Sequence, residues 1–238
     1  MIFSAIVSSL LRVRANFGGL LHFICVSLYG KTGRAGLGCL WARQYQTSGS
    51  DTLTPDLEYW LRWWLVLFSD LPPRELRLQP SSTSPFVLYT DGSENASGRT
   101  ICGVLFHPSL QRPQFFRYQL PHDVLAKWII KDTMINQVEA CAGIVALDTW
   151  SNLLVCSEII HFIDSNTSLH SLVNGWSRMS DTCHLVGEYW RRAARLRCYP
   201  WLERVESGSN VADGPTKENL TLMESLFAVE VSPDVSGL

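Results

Sequence analysis

The first third of the chain has apolar residues at helical spacing. In the last of its three apolar segments, tryptophans and leucines recur every three or four residues, which places them on one face of a helix. These residues are Leu57, Trp60, Leu61, Trp64 and Leu67. Pro55 lies in the first turn of that segment, where proline favours a helix start. The pattern predicts helices over 16–29, 34–46 and 55–68, with the tryptophans of the third helix in a core.

The pattern changes after residue 85. Short runs of β-branched and aromatic residues follow, and turns with Gly or Pro separate them. The predicted strands cover 86–90, 101–106, 114–120, 159–163 and 201–205, and the predicted helices cover 137–153, 167–173 and 181–197. Three hairpin-linked strands followed by alternating helices and strands indicate an α/β fold, with a mixed sheet flanked by helices.

A turn-rich boundary divides the chain between residues 70 and 85. Two prolines, Pro72 and Pro73, end the third helix, and the stretch 79–85 is rich in Ser and Pro. A chain of 238 residues, 46% of them hydrophobic, has enough apolar material for one full domain and a smaller unit. We predict a helical segment over 1–75, a main domain over 85–220 and a C-terminal tail over 221–238.

Composition narrows the class of protein. A charged fraction of 18% and a net charge of −2 are typical of a folded globular protein, so disorder is excluded as the dominant state. The seven cysteines are scattered and form no Cys-x-x-Cys pair, which excludes a disulfide framework and a structural zinc site. The apolar run over 17–29 is shorter than the ~20 residues of a membrane span, and no secretory signal precedes it. We therefore expect an intracellular protein, in the cytoplasm or nucleus, with no membrane partner.

Charge is distributed unevenly along the chain. Residues 1–50 contain five Lys or Arg and no Asp or Glu, which leaves 15 basic and 22 acidic residues in the rest. A basic arm of this kind favours a partner that carries phosphates, although a solvated helix face has the same composition.

Two predicted strands are each followed by an aspartate. Asp91 comes directly after the run 86–90, and Asp164 comes after 159–163. Neighbouring buried strands that end in carboxylates bring like charges within a few Å of each other, which is unfavourable unless a divalent cation neutralises them. The alternative is that each aspartate caps a loop or the following helix.

Two further acids extend this series. Glu139 lies near the start of the predicted helix 137–153, and small residues on its face, among them Gly143, allow that helix to lie close over a sheet. An ordinary glutamate in a first helical turn is the alternative. Asp213 follows the last predicted strand in a loop with Gly214 and Pro215, a setting that also fits a surface loop or a helix start.

The order of these four acids resembles that of the ribonuclease H family. An Asp-Gly-Ser after the first strand, a helical Glu, a strand-end Asp and an Asn-x-Ala-Asp after the last strand carry the resemblance. The stretches 89–93, 162–166, 172–177 and 209–217 are more narrowly similar to the ribonuclease H domain that follows the reverse transcriptase of retrotransposons. The resemblance spans 85–217, and the segments 17–38 and 57–64 look like the helical linker that precedes this domain. No Tyr-x-Asp-Asp polymerase signature is present in the sequence.

The resemblance implies both a fold and a reaction. The fold is a five-stranded mixed sheet with its first three strands antiparallel, flanked by helices. The reaction is cleavage of the RNA strand of an RNA/DNA hybrid with two Mg²⁺ ions, for which Mn²⁺ can substitute. Asp91 would bridge both ions, Glu139 and Asp164 would complete one or both, and Asp213 would hold the metal of the attacking water. Carboxylate oxygens suit such hard cations. The implied partners are the hybrid and an upstream polymerase portion of a larger polyprotein.

Several polar and basic residues are candidates for contacts with nucleic acid. Arg191 and Arg195 lie one turn apart on the predicted helix 181–197 and could meet a phosphate backbone, although a solvated helix face is an equal reading. The other candidates flank the acids and could hydrogen-bond sugar hydroxyls or cap turns. They are Ser93, Asn95, Asn136, Gln137 and Asn166.

Three functions are compatible with these residues. The favoured one is a metal-dependent endonuclease that acts on RNA/DNA hybrids, because all four acids are present. The second is a catalytically inactive remnant of the same fold that serves as a scaffold for nucleic acid or protein. The third, a 3′→5′ exonuclease or integrase of the same broad fold, is weaker, since Gly92 and Ser93 follow Asp91 where exonucleases usually have Asp-x-Glu.

Overall fold

A computed structural model describes residues 17–28, 31–44, 53–72, 83–96, 98–129 and 133–238 of the chain. Its helices are α1 (Phe17–Ser27), α2 (Leu37–Gln44), α3 (Pro55–Asp70), α4 (His122–Leu125), α5 (Ile135–Thr149), α6 (Ser151–Leu154), α7 (Asn166–Asn174), α8 (Ser180–Leu196), α9 (Asp213–Thr216) and α10 (Thr221–Ser225). Its strands are β1 (Phe86–Asn95), β2 (Gly98–Phe106), β3 (Gln114–Gln119), β4 (Glu158–Ile163), β5 (Tyr199–Arg204) and β6 (Val229–Glu230). Short 3₁₀ helices cover Arg34–Gly36 and Ser207–Ser209. The predicted ends of the first helix at 16 and 29, the predicted end of the second at 46 and most of the predicted boundary 70–85 lie outside the described residues, as do Arg12 and Arg14 of the basic arm. The second helix was predicted to start at 34, but its first three residues are 3₁₀ and α2 begins at Leu37.

The strands of the described ranges form one mixed sheet in the order β5-β4-β1-β2-β3-β6. The first three strands pair antiparallel, whereas β4 runs parallel to β1 and β5 parallel to β4. This arrangement confirms the predicted α/β fold with a mixed sheet flanked by helices. The sheet has one strand more than expected, because β6 pairs with Gln114 and Phe115 of β3. A strand of two residues leaves no alternating pattern in the sequence, so it was not predicted.

The central strand is longer than the sequence indicated. β1 runs through Asn95 and pairs with β2 over its whole polar half, from Asp91 opposite Cys102 to Asn95 opposite Gly98. Asp91 therefore lies inside β1, and its prediction as the last residue of the strand was wrong. The hairpin with β2 supplies backbone hydrogen bonds that continue the strand past the end of its apolar run.

The main core lies between the sheet and the helices α5 and α8. α5 is buried over the stretch from Gln137 to Leu147, because small side chains let it lie close to the strands. At Gly143, an added Cβ would come within 3.1 Å of the His161 ring on β4 and 3.3 Å of the Tyr189 ring on α8. Close packing of α5 on the sheet, as predicted, is what brings Glu139 toward β1.

The N-terminal helices pack against α8 through a second core. Trp60 and Trp64 of α3 are both 2% exposed, which confirms that they are core residues. Gly187 of α8 makes room for Trp60, since a Cβ there would lie 2.7 Å from its ring. Two hydrogen bonds join the same elements, from Cys183 Sγ to the Ala35 carbonyl and from Trp63 Nε1 to Glu188 Oε1 at 2.8 Å.

The predicted division into a linker-like segment, a main domain and a tail stays a prediction. The segment 221–238 contributes α10 and β6, and Met223 of α10 is buried in a small cluster with Phe115 and Ala212. Of the helices in the described part of the chain, none combines the length and apolar character that crossing a bilayer requires.

Candidate active site

Three carboxylates from separate elements meet at one edge of the sheet. Each of Asp91, Glu139 and Asp164 has a ligand oxygen within 4.8 Å of those of the other two. Asp91 and Asp164 share this edge because β1 and β4 are parallel and paired at Tyr89 and Phe162, each two residues before the aspartate. Glu139 reaches the same point from the start of α5. The structure therefore brings together three of the four acids that the sequence singled out.

Gly92 allows Glu139 to reach this edge. A Cβ at position 92 would lie 2.8 Å from Val138 Cγ1 and 2.9 Å from the Glu139 backbone nitrogen. The backbone N–H of Gly92 also donates a hydrogen bond to the Glu139 carboxylate. Gly92 thus sets both the approach of α5 to β1 and the orientation of Glu139. Sequence analysis treated it only as a member of the Asp-Gly-Ser motif and missed this role.

Burial makes the ionised form of two of these acids unfavourable. Asp91 is 3% exposed and Glu139 is 6% exposed. Burial, aided by the charges of Asp164 and Asp213 and opposed by a hydrogen bond from Thr216, raises the pKa of Asp91 to about 7. Burial likewise raises the pKa of Glu139 to about 9, with added repulsion from Asp91 and Asp164. Such shifts are reversed when a cation neutralises the cluster.

The donor set is suited to a hard divalent cation. Glu139 Oε2 is buried and has no hydrogen-bond partner among the described residues. A buried carboxylate oxygen without a partner is costly, and a coordinated cation removes that cost. The other ligand atoms are carboxylate oxygens too, which are the ligands that Mg²⁺ and Mn²⁺ prefer. Asp91, Glu139 and Asp164 therefore fit a divalent metal.

Asp213 lies beside this group and not in it. Its carboxylate is 2.6 Å from Lys217 Nζ, one turn along α9. Its charge still contributes to the raised pKa values of Asp91 and Glu139, so it is close to the centre. The prediction that Asp213 lies in a loop was wrong, because it is the first residue of the short helix α9. The sequence favoured a loop here because Gly214 and Pro215 are typical turn residues and the helix has only four residues.

Two residues that the sequence analysis did not single out join the segment around Asp213 to β1. The Asn210 side chain donates from Nδ2 to the Thr90 carbonyl at 3.1 Å. The Thr216 hydroxyl donates to Asp91 Oδ2 at 2.5 Å. Both belong to the stretch 209–217 that carries the family resemblance, and this position was the only signal for them in the sequence.

Most of the polar candidates for nucleic-acid contact have internal partners. Ser93 Oγ donates to the Thr216 carbonyl at 2.9 Å, and Asn95 Oδ1 accepts from Gly98 N in the β1–β2 turn. Gln137 is buried, and its amide donates to Asp181 Oδ2 at 2.8 Å. These three side chains are therefore used in contacts within the protein.

Of the remaining candidates for nucleic-acid contact, two asparagines lie close in sequence to the carboxylates and two arginines lie toward the C-terminal end of α8. Asn166 is exposed at the start of α7, two residues after Asp164, and Asn136 precedes Glu139 by three residues. Arg191 is ion-paired with Glu188 at 2.7 Å, and Arg195 is exposed in the last turn of α8. Because the first turn of α8 contacts α5 through Asp181, these two arginines lie about 15 and 21 Å further along the helix axis. The structure does not bring them to the carboxylates.

His161 is a core residue. It is fully buried between the Thr90 hydroxyl at 2.8 Å and the Tyr189 hydroxyl at 3.0 Å. Burial lowers its pKa to about 3, so the ring is neutral at physiological pH. It holds β1 to β4 and α8 behind the carboxylates.

Comparisons with known proteins complete this description. No family model matches the chain, and no curated protein is significantly similar to it in sequence. Among solved structures, ribonuclease H1 of the archaeon Halobacterium salinarum matches 58% of this chain and 98% of its own, with 17% identity and a TM-score of 0.45. The N-terminal ribonuclease H domain of a Mycobacterium tuberculosis protein matches 60% and 98%, with 18% identity and a TM-score of 0.43. The LC11 ribonuclease H1 isolated from compost matches 59% and 98%, with 16% identity and a TM-score of 0.43. Likenesses of this extent leave the activity to be argued from the residues of this chain.

Proposed function

We propose that this protein is a metal-dependent endonuclease that hydrolyses the RNA strand of RNA/DNA hybrids, and that it is part of, or derived from, a retroelement. The observation that carries the proposal is the meeting of Asp91, Glu139 and Asp164 within 4.8 Å at one edge of the sheet. Three buried or half-buried acids at this distance lower the stability of the fold unless a cation joins them. The loss of stability caused by placing these three acids together is best explained by a role in binding a cation.

Asp91, Glu139 and Asp164 would hold two Mg²⁺ ions, for which Mn²⁺ can substitute, and Asp213 would contribute from α9. Bound there, the ions would supply a water of lowered pKa and stabilise the charge on the departing oxygen. The protein orients the carboxylates. The Gly92 N–H fixes Glu139, and the Thr216 hydroxyl fixes one oxygen of Asp91.

The choice of substrate rests on the family resemblance of the sequence. The four acids and the stretches around them are similar to a domain that removes RNA from hybrids during reverse transcription. Asn166, which is exposed two residues after Asp164, would contact the sugar or phosphate of a bound strand. Recognition through phosphates and 2′-hydroxyls gives little base specificity. On this proposal a polymerase portion supplies the hybrid, in the cytoplasm or nucleus.

A second candidate function is a catalytically inactive scaffold of the same fold. The observation in its favour is the ion pair between Lys217 and Asp213, with Lys217 Nζ 2.6 Å from the carboxylate oxygen. The hydrogen bond to Asp213 raises the pKa of Lys217, and the charges of Asp91 and Asp164 add to this effect. A resident ammonium group of this kind would partly neutralise the acids without a metal.

A strand-specific cleavage assay distinguishes the endonuclease from the inactive scaffold. The purified chain is incubated with an RNA/DNA hybrid, a DNA duplex and an RNA duplex, each labelled on one strand, in Mg²⁺ or EDTA. We expect internal cuts in the RNA strand of the hybrid alone, in Mg²⁺ alone. Asp91→Asn should lose this activity, and Asp123→Asn on the exposed face of α4 should keep it. A folded native chain that binds the hybrid and leaves it intact in Mg²⁺ and in Mn²⁺ would favour the scaffold.

A further inference from the structure

A cavity of about 470 Å³ lies away from the carboxylates, between the N-terminal helices and the loop that joins α7 to α8. Its lining includes His22, Arg34, Trp41, Trp60, Trp176 and Arg178. We call it the Trp176 pocket. It is built from two distant parts of the sequence, so neither part shows it alone.

The mouth of the Trp176 pocket carries cations without acidic partners. Lys31 and Arg34 lie side by side against Gly175, where an added Cβ would be 3.2 Å from Lys31 Cβ and 3.4 Å from Arg34 Cδ. Burial and the neighbouring Arg34 charge lower the pKa of Lys31. Within the described residues, neither Lys31, Arg34 nor Arg178 forms an ion pair. Cations held together without a counter-charge favour an anionic ligand.

The acidic residue in the lining keeps its negative charge, but within the described residues it forms no ion pair with these cations. Asp56 accepts hydrogen bonds from Ser180 Oγ at 2.6 Å and from His184 Nε2 at 3.0 Å. Its carboxylate is therefore used inside the protein, where it holds the start of α8 to α3. The arginines at the mouth stay available to a ligand.

Exposed aromatic rings accompany the cations. Trp176 is 46% exposed and Trp41 is 39% exposed, although both are large apolar side chains. Trp176 stands two residues from Arg178, and the ring of His22 lies 5.7 Å from that of Trp41. Aromatic faces beside unpaired arginines suit a chain that alternates flat rings with phosphates. A free phosphate or an acidic peptide would use the cations and leave the rings exposed.

The pocket is connected to the candidate active site through the start of α8. Ser180 lies in its lining, and the next residue, Asp181, accepts a hydrogen bond from Gln137 Nε2 at 2.8 Å. Gln137 is two residues from Glu139 on α5. The rim of the pocket is thus fixed to the helical turn that carries a candidate metal ligand.

We propose that the Trp176 pocket binds the sugar–phosphate backbone of the nucleic-acid substrate at a distance from the cleaved bond, an inference that rests on the proposed function. Arg34 and Arg178 contact phosphates, with Lys31 adding charge. Trp176 and Trp41 stack on the bases of a single-stranded stretch that flanks the hybrid, because the bases inside the hybrid are paired. The N-terminal helices thereby contribute to substrate binding as well as to the core.

The test measures binding of the full chain to a fluorescent RNA/DNA hybrid that carries a single-stranded overhang, in EDTA, over a series of salt concentrations. We expect Trp176→Ala to weaken binding about tenfold, the range of a lost base–aromatic stack. Arg34→Ala and Arg178→Ala should each weaken it by about threefold to tenfold and lower the slope of log affinity against log salt by about one. Trp201→Ala on β5 and Arg112→Ala in the β2–β3 loop remove an exposed ring and an exposed cation elsewhere, and should change neither quantity.

The outcomes also separate the pocket from the proposed function. If the native chain cuts hybrids, and the three pocket variants fold, bind and cut as it does, the pocket assignment is overturned alone. If the native chain cuts nothing but the pocket variants still lose hybrid binding, the pocket stands and the nuclease proposal fails. If Trp176→Ala lowers the melting temperature, Arg178→Glu replaces it in the binding test, because Arg178 is exposed and its substitution should leave the fold intact. Displacement of the hybrid by poly-glutamate at equal charge, independent of Trp176, would overturn a nucleic-acid ligand in favour of an acidic peptide.

Discussion

The Thr216 hydroxyl lies 2.5 Å from Asp91 Oδ2 and 2.9 Å from the Asp213 carbonyl oxygen, and so links the short helix α9 to the central strand. Its one proton bonds to the carboxylate when Asp91 is ionised. The contact opposes the burial that raises the pKa of Asp91. It also holds one carboxylate oxygen in place, which leaves the other free to face the remaining acids.

Replacement of Thr216 by Val keeps its shape and removes the hydroxyl. The pKa of Asp91 should then rise, so that at a given pH near 7 a smaller fraction of Asp91 is ionised and able to bind a cation. We expect Mg²⁺ affinity at pH 7 to fall by about tenfold, in keeping with the loss of a charged hydrogen bond. Thr216→Ser should restore it. Calorimetric titration of native protein and both variants with Mg²⁺ at pH 7 and 9 provides the check, and equal affinity in all three would remove Thr216 from the site.

Stability without metal should depend on pH through Asp91. Its folded pKa of about 7 is above the ordinary value of 3.8, so the folded state holds a proton that the unfolded chain releases. The stabilisation is complete below pH 4 and is lost as the pH rises through 7. Asp91→Asn should therefore match the native melting temperature at pH 4 in EDTA and exceed it by a few degrees at pH 8. Mg²⁺ at pH 8 should raise the native value alone. A variant less stable than native protein at pH 8 in EDTA would contradict the burial of an unneutralised charge.

The order of elements was predictable from the sequence, because it follows from short-range patterns such as the runs 86–90 and 159–163. The meeting of the acids was expected from the family resemblance of their order, since no local pattern shows that the strands before Asp91 and Asp164 are neighbours. The extension of β1 to Asn95 was not predictable, since pairing with β2 and not residue preference sustains it. The pair of Lys217 with Asp213 and the Trp176 pocket depend on tertiary contacts that no local pattern records.

Gly92 should tolerate no side chain. A Cβ there would press on Val138 and on the backbone of Glu139, so Gly92→Ala should push α5 outward. We expect a loss of about 1–3 kcal/mol in the free energy of unfolding and a larger loss of metal affinity. Gly208 gives the matched control, because a Cβ at that position meets nothing within 4 Å. Urea denaturation and Mg²⁺ titration of both variants test this, and a Gly92→Ala protein as stable as Gly208→Ala would show that α5 does not rest on β1 as described.

The last two acids of the series, Asp164 and Asp213, should respond differently to excess metal. Asp213 lies outside the group within 4.8 Å and is paired with Lys217, so it is the more peripheral ligand. Asp213→Asn should lower Mg²⁺ affinity about tenfold and regain part of its cleavage rate at high Mg²⁺ or Mn²⁺. Asp164→Asn should not be rescued in this way, because Asp164 orients the reacting groups and a higher metal concentration does not restore that orientation. Metal titrations of both variants on one labelled hybrid decide the matter, and rescue of Asp164→Asn alone would reverse the two roles.

On this proposal, the buried carboxylates hold the metal on which RNA cleavage depends. Glu139 provides the most direct test, because its Oε2 is buried without a partner in the described part of the chain. The measurement is the rate of RNA-strand cleavage in a labelled hybrid as a function of Mg²⁺ concentration, for native protein and Glu139→Gln. We expect a rate that saturates with Mg²⁺ in the native protein and falls more than about a hundredfold in Glu139→Gln, whose amide cannot neutralise a cation. Cleavage by native protein in EDTA, or an unchanged Mg²⁺ dependence in Glu139→Gln, would contradict it.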